Sequence, residues 1–442
     1  MKSIIIVGIA VVMSATAASA ATTVTVTSVV SNGPGIKVNY TLAGDPAVVT
    51  LSLSSKGVSL PDADLASVGG DVNALIQPGE RTIAWTPAPN CSVTHYAPSE
   101  LDVAVKAWAV DCPPDYMVVD LIYTNAVRYY TSTNALPHSV TDSRYKTDYL
   151  VMRRIPAAGV VWRMGSPTDE TGRTANNEGS RYVKLESDYY MGIYELTEGQ
   201  FYRIYRLDRT GTVGGNFFRP KIQDGSNPDE YPFCNYAYLN LRGGDSKTDN
   251  CKVWPTDEHE IGTPSATRCW LAYFRKHLGI EFDLPSDPQW EFACRGGADG
   301  GGVPDLETCA WYKDNSLMIS SLGECCFLHP VGGKKPNGYG LYDMLGNALE
   351  YCLDYFKVVT QPDDPANTVL NETELRVANT GDNKVVLRGG SYDAKASACR
   401  PAWKAGGAWG NYDISPESGW DQGGAKGKSA GCRLVCPAIA VK

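Results

Sequence analysis

The side chains with the widest chemical repertoire are thirteen cysteines and five histidines, spread over a chain of 442 residues. Zinc takes its ligands from closely spaced Cys and His clusters. The chain has no Cys-x-x-Cys pair, and its histidines are scattered, which disfavours a zinc site. So many cysteines instead favour an oxidising compartment, where several would be bridged, and an odd number leaves at least one outside internal pairs.

Two short segments match known functional motifs but lack the other residues that those motifs require. Residues 427–431 read Gly-Lys-Ser-Ala-Gly, but hydrolases that use Gly-x-Ser-x-Gly place their histidine after the serine, and the last histidine here is His329. A phosphate-binding loop with the same Gly-Lys-Ser would need a glycine where Gln422 stands. These segments therefore indicate neither a hydrolase nor a nucleotide-binding protein.

Five longer segments in a fixed order are more informative. They are residues 164–170 (MGSPTDE), 189–201 (YYMGIYELTEGQF), 282–297 (FDLPSDPQWEFACRGG), 335–350 (KPNGYGLYDMLGNALE) and 387–392 (LRGGSY). Together they resemble the formylglycine-generating enzyme, or sulfatase-modifying factor, family over residues from about 148 to 440. The resemblance implies a loop-rich C-type-lectin-like fold, often with bound calcium; the fold alone does not establish an activity.

The resemblance places one calcium ion at the turn of the fourth segment. Its ligands would be the carboxylates of Asp343 and Glu350 and the backbone carbonyls of Gly346 and Ala348. Calcium accepts six to eight hard oxygens in irregular geometry, which a Gly-Asn turn can present. The alternative is that Asp343 and Glu350 only cap this turn.

A second calcium site of the family would fall on Asn315 and the backbone carbonyl of Ser316. Its acidic ligand has no counterpart in register, because Glu324 is displaced by one residue. The sequence therefore predicts this second site from two oxygen donors only.

Catalytic members of the family oxidise a cysteine of an unfolded sulfatase segment to formylglycine, with one Cu(I) ion held by two cysteines. The corresponding positions here are Ala394 and Cys399, so that one thiolate is missing. Cu(I) prefers soft thiolates, and neighbouring side chains such as Lys395 do not replace one. Two hypotheses follow: a binding or assembly protein without the copper site, or an oxidase that uses Cys399 with a substitute ligand such as Cys432.

Disulfides are the alternative use of these thiols. Non-catalytic relatives keep a cysteine at the Cys399 position together with one in the Glu-aromatic-Cys segment, here Cys352, so that the resemblance implies a Cys352–Cys399 bridge. Two further candidate pairs are Cys91 with Cys112, the only cysteines of the N-terminal region, and Cys234 with Cys251.

Aromatic side chains near the C-terminal end are candidate ligand contacts. Trp403, Trp409, Tyr412 and Trp420 lie among glycines and small polar residues between positions 401 and 421. Exposed aromatic rings can stack on sugars or anchor a protein partner, and burial against the core is the alternative for each. The binding hypothesis therefore takes a glycan or a protein as ligand, outside the cytoplasm.

The N-terminal residues indicate export. Lys2, the apolar run 4–13 and Ala18-Ser19-Ala20 form a signal peptide with cleavage predicted after Ala20. The apolar run is too short for a membrane span. A net charge of -9 without a basic stripe makes nucleic acid an unsuitable partner. The expected location is periplasmic, cell-surface or secreted.

The elements that position these residues fall into two domains of an α+β chain. Apolar and polar residues alternate over 21–130, which predicts an immunoglobulin-like β-sandwich. Residues 131–149 are polar and predict a linker, and 150–440 would form the family domain.

Two helices are predicted within the family domain. One begins at the Thr263-Pro264 cap and ends at Gly279. The other begins at a Ser-x-x-Gln capping box on Ser286 and ends before Gly296.

Overall fold

The structure, a computed structural model, describes the chain in fourteen segments. They are residues 22–60, 67–87, 100–122, 126–174, 177–205, 226–234, 236, 238–242, 270–297, 305–320, 323–356, 368–375, 384–408 and 430–441. The predicted signal peptide lies outside them. The chain divides into two compact units: Met1–Asp142 with Ala438–Lys442, and Ser143–Pro437. The division thus falls inside the segment predicted as a linker. In the described segments no helix is long and apolar enough to cross a membrane.

The described part of the first unit contains strands and one short 3-10 helix, Thr133–Ala135. The strands are β1 Thr23–Asn32, β2 Gly35–Ala43, β3 Ala47–Ser55, β4 Val58–Ser59, β5 Val68–Gly70, β6 Ala74–Ile76, β7 Gly79–Trp85, β8 Leu101–Trp108, β9 Tyr116–Asp120 and β10 Val127–Tyr130. One sheet has the order β1-β2-β7-β5, and another the order β4-β3-β6 with β8 paired to β3. The neighbouring strands that the registers relate are antiparallel. The strands predicted from alternation are confirmed.

The two sheets of the first unit share one hydrophobic core, because alternate side chains of each strand face inward. In β2, Ile36, Val38, Tyr40 and Leu42 are each at most 1% exposed, and Trp85 of β7 is fully buried among them. Burial of each such aliphatic side chain stabilises the fold by roughly 1.5–3 kcal/mol. The alternation therefore fixes which face of the strand is buried.

Residues 438–442 return to the first unit after the second unit is complete. The backbone N–H of Ala440 donates to the carbonyl of Val110 at 2.8 Å. That of Val441 donates to the hydroxyl of Tyr129, a fully buried residue, at 2.7 Å. The first unit is therefore built from two stretches of chain.

The described part of the second unit combines short strands with short helices. The strands are β11 Tyr149–Ile155, β12 Val161–Met164, β13 Arg181–Lys184, β14 Tyr189–Gly192, β15 Ala310–Trp311, β16 Leu317–Ser320, β17 Gly323–Cys326, β18 Leu345–Gly346, β19 Leu349–Tyr355, β20 Val369–Asn371, β21 Lys384–Arg388, β22 Lys404–Ala408, β23 Ala430–Gly431 and β24 Val435–Pro437. The helices are α1 Arg144–Thr147, α2 Glu198–Tyr205, α3 Tyr238–Arg242, α4 Trp270–Leu278, α5 Asp287–Cys294 and α6 Leu306–Cys309, with 3-10 turns at Pro228–Glu230, Glu372–Leu375 and Ala396–Ala398.

Small sheets hold the segments that carry the candidate site. One has the order β22-β21-β19-β23, and β14 lies between β11 and β24 in another. Strands β15 and β18 pair in parallel, which places Trp311 beside Gly346. The described part of the unit is predominantly β with few helices.

Helix α5 confirms the predicted capping box. The Ser286 hydroxyl accepts from the backbone N–H of Gln289, and the Gln289 side chain accepts from the backbone N–H of Ser286. Gly296 follows the helix with a φ of 65°, a conformation that glycine adopts readily. Helix α4 ends at Leu278 before Gly279, as predicted, and its predicted start at Thr263 lies outside the described residues.

Helix α5 is anchored by buried charge. The guanidinium of Arg388, in β21, donates to Asp287 at 2.5 Å and to Glu291 at 3.0 Å, and Lys404 lies 2.9 Å from Asp287. Burial acts to raise the pKa of Asp287, but Arg388 and Lys404 outweigh it and lower the pKa to about 2. Asp287 is thus held as a carboxylate between two cations.

We expect Asp287 to contribute to acid sensitivity. Because its pKa is lower in the folded state than in the unfolded state, its stabilisation is present above pH ~4 and is lost as the pH falls towards 2. The loss should be about 2 kcal/mol, at roughly 1.4 kcal/mol per pKa unit. Urea unfolding of wild type and Asp287→Asn should show a difference that shrinks by this amount between pH 5 and 2. Asp188→Asn, in a partly buried pair with Arg154 that has a single cation, is the control.

Candidate functional site

The turn that resembles a calcium site has an unusual backbone. Asp343, Gly346 and Asn347 have φ values of 54°, 76° and 52°. A Cβ atom at Gly346 would lie 2.1 Å from the carbonyl oxygen of Trp311, so that only glycine fits there. The backbone N–H of Asn347 donates to that same carbonyl at 2.8 Å, and that of Gly346 to the Gly389 carbonyl at 2.8 Å. Such conformations persist where surrounding contacts enforce them, and they concentrate at functional sites.

Glu350 is held by a buried cation. Its carboxylate accepts from Arg433 at 2.8 Å and from the indole N–H of Trp290 at 2.7 Å. Arg433 also donates to the backbone carbonyls of Gly192 and Tyr342, at 2.9 and 2.8 Å. Each of the three guanidinium nitrogens of Arg433 thus has an acceptor inside the protein. Glu350 could bind a metal ion only if these bonds rearranged.

A third carboxylate, which the sequence did not single out, completes the cluster. Glu195 is 1% exposed and accepts from the Asn347 side chain at 2.7 Å and the Ala348 backbone N–H at 2.9 Å. The sequence feature that could have identified Glu195 is its place as the one acidic residue in the mainly apolar run 189–196. The structure buries every residue of that run. Glu195 therefore fixes the turn through two hydrogen bonds.

Asp343 has a carboxylate oxygen that accepts no hydrogen bond. One of its oxygens accepts from the Gly332 backbone N–H at 2.6 Å, whereas Oδ1 is buried without a hydrogen-bond partner. Burial raises the pKa of Asp343 to about 6, opposed by Arg433 and Lys146. Burial, with Asp343 and Glu350 nearby, also raises the pKa of Glu195.

The cluster holds an excess of negative charge, because three buried carboxylates share the guanidinium of Arg433. Buried charges are costly unless they are paired, so this environment favours either a proton or a bound cation. In the described segments no three Cys, His, Asp or Glu side chains converge as metal ligands. Calcium would therefore depend on Asp343 Oδ1 and on the backbone carbonyls of Gly346 and Ala348, and these oxygens fit its preference for hard donors.

The residues of the second calcium prediction have partners within the protein. Asn315 accepts from the Tyr312 backbone N–H at 2.9 Å and donates to the Ala310 carbonyl at 3.0 Å. The Ser316 carbonyl accepts from the backbone N–H of Phe327 at 3.3 Å, and its hydroxyl donates to the Tyr392 carbonyl. These contacts give Asn315 and Ser316 a turn-closing role, and calcium binding here stays a prediction.

Both positions that correspond to the copper ligands are buried. Ala394 is 2% exposed and Cys399 fully buried. Burial raises the pKa of Cys399 to about 12, although the backbone N–H groups of Ser391 and Gly346 act to lower it. The site thus offers one neutral thiol at neutral pH.

The substitute ligand considered above, Cys432, is also a buried free thiol. Burial raises its pKa to about 12, and the groups that act on it include Tyr236 and Glu350. Cys399 responds instead to Ser391, Cys309 and Asp393. Different groups therefore act on the two thiols, which does not support a shared ligand set.

Cys352 and Cys399 are not bridged in this structure, and the implied disulfide stays a prediction. Both residues are buried free thiols. Cys352 lies in β19 beside Asp287 and Arg388, whereas the cysteine that acts on Cys399 is Cys309. Of the other predicted pairs, Cys234 is a buried free thiol and Cys112 is exposed, and their proposed partners, Cys251 and Cys91, lie outside the described residues.

Only one of the aromatic ligand candidates is described. Trp403 is half-buried, its backbone N–H donates to the Arg400 carbonyl at 3.1 Å and its carbonyl accepts from Arg388 at 3.2 Å. The other three candidates, Trp409, Tyr412 and Trp420, lie outside the described residues. The base of the predicted ligand segment is therefore fixed to the buried arginine of β21.

The second unit is similar to proteins of one known family. The family described as "Sulfatase-modifying factor enzyme 1-like domain" matches residues 157–435. The formylglycine-generating enzyme of Bos taurus is 30% identical over 298 residues, which are 62% of this chain and 74% of that protein.

Two further proteins are similar to this chain at lower sequence identity. The chaperone protein LppX of Paenibacillus barcinonensis is 27% identical over 201 residues, 41% of this chain, and the match spans 66% of its own length. The solved structure of Treponema denticola variable protein 1 has a TM-score of 0.43 and 20% identity, over 65% of this chain and 95% of that one.

Proposed function

The chain belongs to the sulfatase-modifying factor family, and we propose that within it the protein is an exported binding or assembly factor rather than a copper-dependent oxidase. The observation that carries this proposal is Ala394, which stands where the first of two thiolate ligands would be. A methyl group cannot bind a metal ion, and a single thiolate does not provide the pair that Cu(I) takes in this family. The high pKa of Cys399 supports the same conclusion.

The scaffold we propose is a loop-rich C-type-lectin-like domain that follows an immunoglobulin-like sandwich. In such an arrangement a rigid turn and sheet present variable loops to a ligand. The turn fixed by Glu195, Arg433 and Glu350 supplies the rigidity here. The sandwich would then act as a spacer or docking module.

The ligand we propose is a glycan or a protein met outside the cytoplasm. Half-buried Trp403 stands at the start of a segment with three further aromatic residues, and such rings supply contact area at low entropic cost. The name of the Paenibacillus relative, a chaperone protein, favours a protein partner. Binding of the purified protein to a glycan array, set against binding to immobilised unfolded polypeptides, separates the two classes.

The second candidate function is oxidation of a substrate cysteine to formylglycine. The observation that favours it is the similarity to the bovine formylglycine-generating enzyme over 298 residues. It would require Cys399 to bind copper with a ligand other than residue 394. Cys432 does not share the surroundings of Cys399, so the site as built does not fit copper.

Copper titration tests the proposed function directly. We expect the wild-type protein, kept reduced and without oxygen, to take no stoichiometric Cu(I) from a colorimetric chelator, because it lacks the thiolate pair. A formylglycine-generating enzyme titrated in parallel is the positive control. Uptake of one equivalent by the wild type, lost in Cys399→Ser, would establish the oxidase alternative instead.

We propose that calcium has a structural role at the Asp343 turn. The carboxylate of Asp343 and the carbonyls of Gly346 and Ala348 would hold the ion, which would neutralise the surplus charge beside Glu195. Calcium at 100 times its dissociation constant would stabilise the fold by about 2.7 kcal/mol, since it binds only the folded state. The melting temperature should therefore be higher in calcium than in a calcium chelator.

Variants of the turn make the calcium prediction specific. Asp343→Asn removes the spare carboxylate and should abolish the calcium-dependent shift in melting temperature. Asp188→Asn, which removes a carboxylate paired with Arg154, should leave the shift intact, because Asp188 is not a predicted calcium ligand. Equal melting temperatures of the wild type in calcium and in chelator would show that Asp343 and Glu350 only cap the turn.

A further inference from the structure

A small pocket opens to solvent in the second unit, and none of the residues assigned above to calcium or copper lines it. Its cavity volume is about 30 Å³, which is room for about two water molecules. The lining comes from β12, β13, α5, β19, β21 and β22 and from the loop that contains residues 177–179. The pocket is therefore formed by the folded unit and not by a single loop.

Three of the four acidic side chains in the lining are bonded to arginine. Arg388 donates to Asp287 at 2.5 Å and to Glu291 at 3.0 Å. Two nitrogens of Arg400 donate to Glu178, each at 2.9 Å. The lining also holds one further acid and two bases, which are Asp354, Arg181 and Lys404. A ligand with a full charge would disturb buried ion pairs that are costly to break, so the pocket favours a neutral polar ligand.

Two polar groups of the lining retain hydrogen-bonding capacity. The side chain of Lys404 is 11% exposed, and its ammonium group, which has three N–H donors, gives one to Asp287 at 2.9 Å. The side-chain oxygen of Asn177 is buried and accepts no hydrogen bond. A hydroxyl group can accept from an ammonium group and donate to an amide oxygen. The pocket therefore suits hydroxyl groups, which meet both a donor and an acceptor there.

Apolar and aromatic side chains complete the lining. Tyr355 and Phe356, at the end of β19, and Val386, in β21, are buried and line the pocket. The ring of Phe356 packs on Gly406 of β22, since a Cβ atom on that glycine would lie 2.5 Å from the ring. A sugar presents carbon-bound hydrogens as well as hydroxyl groups. It therefore fits a site that combines apolar walls with a few polar groups.

We propose that this pocket binds a neutral sugar residue, whose hydroxyl groups enter the cavity and bond to Lys404 and Asn177. Room for about two water molecules accommodates two hydroxyl groups and leaves the sugar ring at the mouth. The pocket adjoins the predicted ligand segment, because Ala402 and Lys404 of its lining flank Trp403. The inference rests on the proposed binding function and narrows its ligand to a neutral glycan. A protein ligand is the alternative outcome of the test.

Binding to a glycan array tests the pocket. The array carries neutral oligosaccharides and acidic ones with uronate or sulfate groups, and we expect the wild-type protein to bind neutral members. Asn177→Ala and Lys404→Met should each weaken this binding about tenfold, because each removes one hydrogen bond to the sugar. Lys184→Met, which changes an exposed lysine of β13 outside the lining, is the matched control and should bind as the wild type does.

Three results would overturn the inference: no glycan binding, a preference for acidic glycans, or neutral-glycan binding that both pocket variants retain. Binding to immobilised unfolded polypeptides without any glycan binding would do so while leaving the proposed binding function in place. Copper uptake by the wild type would refute that function itself. If Lys404→Met yields no folded protein, Asn177→Ala decides the question, because the oxygen it removes accepts no hydrogen bond within the protein.

Discussion

The Ala394→Cys variant should bind about one equivalent of Cu(I) under reducing conditions, whereas the wild type binds none, because it restores a second soft thiolate near Cys399. Residue 394 is a buried position that can accept a cysteine side chain. Ala394 is 2% exposed, its carbonyl accepts from Lys313 at 3.0 Å and its N–H donates to Ser391 at 2.9 Å. The backbone is therefore fixed on both sides, and the new side chain exceeds alanine by a single sulfur atom.

The measurement is a competition with a colorimetric Cu(I) chelator in the absence of oxygen, with reductant present so that Cys399 is a thiol. Ala396→Cys adds a cysteine two residues away at an exposed position and should take up no stoichiometric copper. A folded Ala394→Cys protein that binds no more copper than this control would refute the correspondence between Ala394 and a family ligand.

Arg433→Met should be the most damaging single substitution in the second unit. The change removes the only cation that bonds the buried Glu350 carboxylate within the described residues, and it takes one donor from the carbonyls of Gly192 and Tyr342. Removing one partner of a buried ion pair typically costs about 3–5 kcal/mol. For a unit of this size the melting temperature should fall by roughly 10 °C.

Arg203→Met provides the matched control, because Arg203 and its partner Asp148 keep 33% and 21% of their side chains exposed. Such a pair should contribute at most about 1 kcal/mol. Chemical denaturation of both variants checks the prediction. A loss at Arg433 no larger than that at Arg203 would mean that the acid cluster is stabilised by something other than this guanidinium.

Local signals predicted those elements whose determinants are close together in the sequence. The capping box of Ser286 and Gln289 spans four residues, and the alternation in β2 identifies its buried face within nine. Both follow from hydrogen bonds and side-chain directions that the backbone alone imposes. For the same reason the strands of the first unit could be assigned without knowledge of their partners.

The candidate site was less accessible to sequence reasoning, because its contacts join distant segments. Glu195 meets Ala348 across 153 residues, and no spacing rule pairs an acid with a backbone N–H at that distance. The resemblance identified Asp343 and Glu350 but not the guanidinium that binds Glu350. It also implied a bridge between Cys399 and Cys352, which are separate buried thiols here.

The return of residues 438–442 to the first unit has a consequence for biosynthesis. A ribosome makes residues 1–142 first, yet the hydrogen bonds from Ala440 and Val441 can form only after the whole second unit has been translated. The first unit would then mature last although it is made first. Export of an unfolded chain through a narrow channel would suit this order, since neither unit would need to be finished before the other has crossed.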